Sequence, residues 1–402
     1  MDLEEVVRTA SAIRLRQRLL PEGGATDKIF PPTFAGGVYC WEQRRIEGRA
    51  TPCVLLDSVA SQANRLEEAL SEFAATSLID LPRFSVVFRD ELSDLGEINT
   101  LAAPHRVFDA ILRDSNTKDG KPFFKTDIYR QMTACTVRNA TALFARSPAA
   151  LLFGCWDSTG AAGGLGNKFA RALTSEIIGV NAEWGATQGG VRQDPLGISS
   201  DAEIAIDSAG DWTLVGKSSA AKKDRAKGTR PSEINHGNIL VKVETTTNEK
   251  ILPDGTVRIE RMPLKGGVTV DYALQTTVLS LSALRRLKFP VDGKSDTDHA
   301  ARVVLAALGV VAITAGRERG YWLRSRCGLV ADGAQELEIV QPDGGVAYSK
   351  IDSKRAIEIY KAAIQTAKKS GLPWSAEPVE LSPQTKLVEL INKSRQIQSL
   401  GG

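Results

Sequence analysis

The sequence predicts an α+β fold carrying a polar, basic insertion, and three observations support that expectation. A strand-like segment that ends in Asp-Ser and leads into a helix occurs twice, at Leu55-Leu56-Asp57-Ser58 and at Cys155-Trp156-Asp157-Ser158. Ferredoxin-like and RRM sheets have two such halves, although Asp-Ser is good helix-start chemistry anywhere, so the echo alone leaves duplication open. Residues 183–270 are polar, and Lys217–Arg230 carries Lys217, Lys222, Lys223, Arg225, Lys227 and Arg230 against the single acid Asp224. The chain has 402 residues, 42% hydrophobic and 25% charged, which is enough for two compact units or one core with large insertions.

In chain order, residues 2–20 read as a basic helix, with Arg8, Arg14, Arg16 and Arg18 around Val7, Ile13, Leu15 and Leu19, stopped by Pro21-Glu22-Gly23-Gly24. A Pro/Gly-rich loop around Lys28 follows, then strands at Gly37–Arg45 and Pro52–Leu56. Ser58 caps a helix reaching about Phe73, with Leu66, Leu70 and Phe73 at helical spacing. Residues 80–150 read as loops and helices. Ala149–Trp156 is a nearly continuous apolar run that suits a buried strand, followed by the loop Gly160–Gly166 and a helix from about Asn167 to Ile178. Ile239–Glu244 and Val257–Arg261 alternate apolar and charged residues around Pro253-Asp254-Gly255, which predicts a hairpin. Little between 183 and 270 could build its own core, so it is read as a projecting insertion. Further on come a strand at Val268–Leu279, a short basic helix at Ala283–Phe289, a buried helix at Asp298–Ala315, a strand at Tyr321–Val330, and amphipathic helices at 352–370 and 383–398.

Composition excludes several function classes. The net charge of +3 is mildly basic and does not by itself demand a nucleic-acid partner. Cys40, Cys53, Cys135, Cys155 and Cys327 are scattered, odd in number and without C-x-x-C spacing, which argues against a disulfide framework or zinc knuckle and fits a reducing cytoplasm. The acidic start Met1-Asp2-Leu3-Glu4-Glu5 is no signal peptide, and the apolar stretch Val303–Ala315 is too short to span a bilayer, so no membrane partner is expected. His105, His236 and His299 show no ligand spacing, and no metal or cofactor is expected.

Four segments are candidate contacts. Gly160–Lys168 fails the Walker A pattern because Asn167 precedes Lys168 and Phe169 follows it. What remains is a glycine-rich turn (Gly163, Gly164, Gly166) with Lys168 and Arg171 beside it. It is either an anion-facing backbone or a tight structural turn. Ser58, Ser61, Gln62, Asn64 and Arg65 crowd two helical turns with polar groups suited to phosphates, 2′-hydroxyls and base edges, or simply solvated. Glu233–Asn238, with Asn235, His236 and Asn238, is a polar turn at the hairpin root or a contact loop. Arg317, Arg319, Arg324 and Arg326 flank Tyr321-Trp322, which suits stacking on single strands or a solvated edge strand.

Taken together, Asp27-Lys28-Ile29-Phe30-Pro31-Pro32-Thr33, Leu55–Glu67, Ala103-Pro104-His105-Arg106, Ile111–Ser115, Trp156–Gly160, Gly163–Phe169, Pro231–Asn238 and Leu323–Cys327 resemble a known family. It is the RAMP-superfamily, Cas-seven-type backbone subunit that binds guide RNA in type I-G (formerly I-U) CRISPR Cascade effector complexes. The motifs span about residues 20–330 and leave the tail beyond about 335 unassigned. The resemblance implies a modified ferredoxin-like/RRM (RAMP) palm, 1–182 and 268–335, with a helical insertion at about 75–148, a thumb-like basic β-hairpin at 183–267 and a C-terminal helical extension at 336–402. It implies a non-catalytic, cytoplasmic subunit in antiviral defence. Copies would stack head-to-tail along CRISPR guide RNA, beside a large subunit and a guide-end-binding or processing subunit. The guide would then pair with target DNA.

Individual RNA contacts are not settled by the family pattern. The expected ones are the segments above with Lys28, His105, Arg106, Arg113, Ser158, Arg324 and Arg326. The alternative is a metal-independent RAMP-type endonuclease processing CRISPR RNA with His105 or His236.

Overall fold

The computed structural model describes residues 1–158, 168–187, 193–199, 201–207, 210–215, 229–237, 246–251, 257–262, 264–292 and 297–400, and only the backbone within 246–264 and at 399–400. The chain forms two compact units, Met1–Glu183 with Val268–Leu390, and Trp184–Gly267 with Ile391–Gly402.

The first unit mixes helices with a nine-stranded antiparallel sheet. Its strands are β1 (Ala12–Pro21), β2 (Trp41–Ile46), β3 (Arg49–Asp57), β4 (Leu173–Val180), β5 (Tyr272–Ser280), β6 (Tyr321–Arg324), β7 (Cys327–Ala331), β8 (Leu337–Val340) and β9 (Val346–Ser349). The order is β6-β7-β1-β5-β4-β3-β2; β8 also pairs with β1, and β9 with β8. Ile13 lies opposite Leu279 across β1 and β5, and Ser175 lies opposite Thr277 across β4 and β5. Its helices include α1 (Leu3–Thr9), α2 (Val59–Ala75), α3 (Thr297–Glu318) and α4 (Ser353–Lys369); α2 and α3 pack on the sheet, and α1 and α4 pack on α3. Four central strands therefore lie in the order β7-β1-β5-β4, while the chain runs β1, α2, β4, β5, α3, β7, with the β2–β3 hairpin inserted before α2.

Alternation makes β1 a strand. Ile13, Leu15, Gln17 and Leu19 are buried, whereas Arg14, Arg16 and Arg18 point to the other face. The expected basic helix over 2–20 is thus replaced by the seven-residue α1, capped by Asp2, and a ten-residue strand. α3 is apolar nearly all round and has the length and composition to cross a membrane, but 78% of its apolar window is buried inside the protein. Gly309 brings α3 close to the sheet, since a Cβ there would sit 2.9 Å from Leu279 Cδ2; a Cβ on Gly316 would sit 2.7 Å from Leu66 Cδ2 of α2. Leu19, Val54, Leu56, Ile177, Tyr321, Leu323 and Leu329 share one core cluster, so the sheet curls until β6 meets β3, strands apart in the sheet order.

Other expectations are corrected. Ala149–Phe153 belongs to a helix, Pro148–Phe153, which ends at Gly154 (φ +80°) before the two-residue strand Cys155–Trp156. The expected helix after Asn167 is instead the strand pair Lys168–Phe169 and β4. Among the described residues no helix follows Cys155-Trp156-Asp157-Ser158 before β4. Tyr321–Val330 is a hairpin turning at Ser325-Arg326, where Arg326 has φ +57°. The segment beyond 335 supplies strands as well as helices: β8, β9, and Val379–Pro383, which runs parallel to Phe84–Val87 in a four-stranded sheet.

Glu183–Thr187 pairs with Leu264–Thr269, and in the second unit Ile204–Ile206 pairs with Trp212–Leu214. Thr246–Ile251 pairs with Val257–Met262. The hairpin's second arm is the expected one and its first arm is Thr246–Ile251; the expected Ile239–Glu244 and Pro253-Asp254-Gly255 fall outside the described residues, apart from its flank.

Candidate nucleic-acid interface

The segment Asp57–Arg65 builds the junction between sheet and helix. Ser58 caps α2, its Oγ accepting from Ser61 N at 3.3 Å. Asp57 is fully buried at the end of β3. Its Oδ2 accepts from Gln62 Nε2 at 2.7 Å and from Arg65 Nε at 2.9 Å. Arg65 also donates to the carbonyls of Trp322 (3.1 Å) and Leu323 (2.7 Å), and Arg324 donates to Leu56 O at 2.9 Å, with its Nη2 3.7 Å from Asp57 Oδ1.

Gln62 continues inward. Its Oε1 accepts from Ser175 Oγ (2.8 Å) and Gln275 Nε2 (3.0 Å), and Tyr321 OH donates to Gln275 Oε1 (3.1 Å). This buried network satisfies most of its own polar atoms. Gln62, 3% exposed, spends its side chain on the fold's own network. Ser61 and Asn64 remain on the helix surface.

Arg106 is likewise engaged within the fold. It is 8% exposed, has φ +53°, and clamps Glu67 of α2 in two bonds of 2.6 and 2.7 Å while donating to Gly154 O at 3.0 Å. Burial pushes the Glu67 carboxyl up to about 6, opposed by Arg106. His105, its neighbour, is exposed. Arg113 donates to Asp114 at 2.9 Å, and Lys386 meets the same carboxylate at 3.0 Å, which together hold Asp114 below its usual range.

Cations stacked on aromatic rings form a different set. Lys168 Nζ lies 5.6 Å from the ring centroid of Trp156, which is 43% exposed, with the exposed Arg171 nearby in sequence. Arg326 Cζ lies 4.2 Å and Lys28 Nζ 5.4 Å from the ring centroid of the half-buried Phe30, whose N–H donates to Arg326 O at 2.9 Å. Arg18 Cζ lies 4.1 Å over Tyr272. Such pairs present a flat π surface and a positive charge together, the two features that bind single strands.

Trp156, Phe30 and the outward arginines of β1 were not among the expected contacts. The signal for the arginines was the strict alternation Ile13–Leu19. Arg14 and Arg16 both meet the buried Glu338, at 2.5 and 2.8 Å, and Arg16 and Arg18 stay about half exposed.

In the second unit, Arg230 and Asn235 are exposed, Asn235 has φ +62°, and His236 lies edge-on to Trp212 at 6.3 Å. Ser158 is half-buried beside Asp157. Gly163, Gly164, Gly166, Lys222, Lys223, Arg225, Lys227 and Asn238 lie outside the described residues. Among the described residues no group of three or more His, Cys, Asp or Glu could hold a metal ion.

No curated protein matches the chain. Residues 13–184, which run from β1 past the Asp57 junction and the Trp156–Lys168 pair to the end of β4, match the family model of CRISPR-associated protein GSU0053 (Cas_GSU0053), and that match supports a CRISPR-associated protein.

Proposed function

We propose that this chain is a non-catalytic guide-RNA-binding backbone subunit of a type I-G CRISPR effector complex, working in the cytoplasm. The observation that carries the reading is the pair of cation-on-ring sites, Lys168 with Trp156 and Arg326 with Phe30, on an α+β unit. The strand order β7-β1-β5-β4 with a helix after β1 and another after β5 supports a ferredoxin-like, RRM-type palm. The match of residues 13–184 supports the CRISPR setting.

In this reading the palm holds the guide's backbone and base pairing reads the target, so protein side chains position the strand without specifying its sequence. Residues 183–267 take the thumb's part. Copies assemble head-to-tail through a heterologous, non-closing contact, with the large subunit and the guide-end-binding subunit as further partners and target DNA met through the guide.

Filter binding of single-stranded RNA over a salt series tests this. Affinity falls steeply with salt, because phosphate contacts release counterions, and Lys168→Ala and Arg326→Ala each weaken binding. Absence of binding even at low salt, or full affinity in both variants, overturns it.

A further inference from the structure

A cavity of about 380 Å³ opens where the C-terminal end of α3 turns into β6, and neither of the two cation-on-ring sites that carry the RNA reading lines it. Its walls come from α2 (Gln62, Arg65, Glu68), from Arg319, and from Tyr321 and Trp322. Trp322 is 66% exposed although Tyr321 and Leu323 on either side are buried, so strand alternation turns the indole outward. An exposed indole at the lip of a polar cavity is costly to leave in water and available for stacking.

Donors and acceptors both line this cavity. Gln275 Oε1 takes the Tyr321 hydroxyl proton, Gln62 Oε1 takes two donors, and Glu68 Oε2 meets Arg319 at 2.6 Å. The two arginines hold donors in reserve. Arg65 uses Nε on Asp57 and one N–H each of Nη1 and Nη2 on the Trp322 and Leu323 carbonyls. Arg319 uses one N–H each of Nη1 and Nη2 on Glu68 and Glu72. A guanidinium has five N–H groups, so both arginines keep donors beyond these bonds among the described residues. The Asp57 junction also fixes the wall, because Arg65 ties the β6 backbone at Trp322 to the α2–β3 corner.

We infer that this cavity binds one unstacked nucleotide of an RNA strand, its base against Trp322 and its phosphate or base carbonyl oxygens on the spare N–H groups of Arg65 and Arg319. A nucleotide offers a π face to the exposed indole and acceptors to the arginine N–H groups, and the cavity has the volume of a small-ligand site. The inference rests on the RNA-binding reading and names a separate contact within it.

The test uses the full chain and single-stranded RNA oligonucleotides carrying one 2-aminopurine at successive positions. Bound wild-type protein quenches the fluorophore most strongly at the position seated on Trp322. Trp322→Ala removes that quench and weakens binding by about tenfold, the scale of one lost base–aromatic stack. Arg319→Gln lowers affinity and flattens its salt dependence by about one phosphate's share. Because Trp322 is exposed, an unchanged thermal melt confirms that the variant is folded. If wild type binds RNA and Trp322→Ala keeps both affinity and quenching pattern, the cavity assignment is overturned while the RNA reading stands. If wild type binds no RNA, both fall. If a free nucleoside monophosphate is bound in a Trp322-dependent way and the strand's quenching is not, the assignment to an RNA strand is overturned.

Discussion

Arg65 Nε donates to the fully buried Oδ2 of Asp57 at 2.9 Å, and the same guanidinium reaches across to hold the backbone of β6 at two carbonyls. One carboxylate thus organises three elements: the end of β3, the first turns of α2, and β6 through Arg65 and Arg324.

Asp57→Ala leaves Gln62, Arg65 and Arg324 without their shared acceptor. Removing one partner of a buried ion pair strands the other charge. Arg65 and Arg324 are each about a third exposed, which softens the loss. The expected cost is about 3 kcal/mol in a urea unfolding curve. A cost under about 1 kcal/mol would show that the junction is peripheral.

Glu67 gives the fold a pH signature. Its folded-state value, up to about 6, lies above the ordinary 4.5, so the folded state holds this proton more tightly than the unfolded state. Its contribution is fully present below pH 4.5 and is lost as pH rises through 6, by about 2 kcal/mol in all. The stability difference between wild type and Glu67→Gln should shift by that amount between pH 4.5 and pH 7, to the disadvantage of wild type at the higher pH. A pH-independent difference contradicts the assignment.

Thiol chemistry reports the packing. Cys40 is exposed, whereas Cys53, Cys135, Cys155 and Cys327 are buried. Burial pushes Cys155 up to about 12 and Cys327 up to about 11, so neither forms the reactive thiolate near neutral pH. An aromatic disulfide reagent should modify Cys40 alone in the native protein and all five after denaturation. Rapid reaction at a second cysteine would place that residue nearer solvent than its packing indicates.

Gly309→Ala reverses a familiar sign. Alanine at a helix interior normally stabilises by about 1 kcal/mol relative to glycine. Here the new Cβ meets both terminal carbons of the buried Leu279, at 2.9 and 3.1 Å, so overpacking wins and the variant loses about 1–2 kcal/mol. Gly316→Ala meets a single atom, Leu66 Cδ2, and should lose less. Calorimetric melting of both variants checks the order.

Local rules carried the sequence reading wherever a single element decides its own form. The Ser58 cap, the buried Leu66 and Leu70 of α2, the long buried helix α3 and the amphipathic helix α4 follow from capping and period. The expected first helix gives way to a strand because Ala12–Pro21 alternates with a period of two, which only a strand satisfies. Ala149–Phe153 failed because a short apolar run fits a buried helix as well as a buried strand; Pro148 at its start and Gly154 at its end were the helix signals. In the candidate site, residue type was legible and burial was not. Gln62 and Arg106 are polar residues whose partners, Ser175, Gln275 and Gly154, lie far along the chain. Trp322 and Arg319 were visible as an aromatic flanked by arginines, but the cavity they share with α2 exists only after the sheet has curled.

The most direct measurement is the nucleic acid that the tagged chain carries when isolated from cells expressing a CRISPR array. The expected result is RNA of guide sequence, protected in a defined length or a regular ladder and released by high salt. Protein that emerges free of guide RNA, or with RNA of no preferred origin, would contradict it.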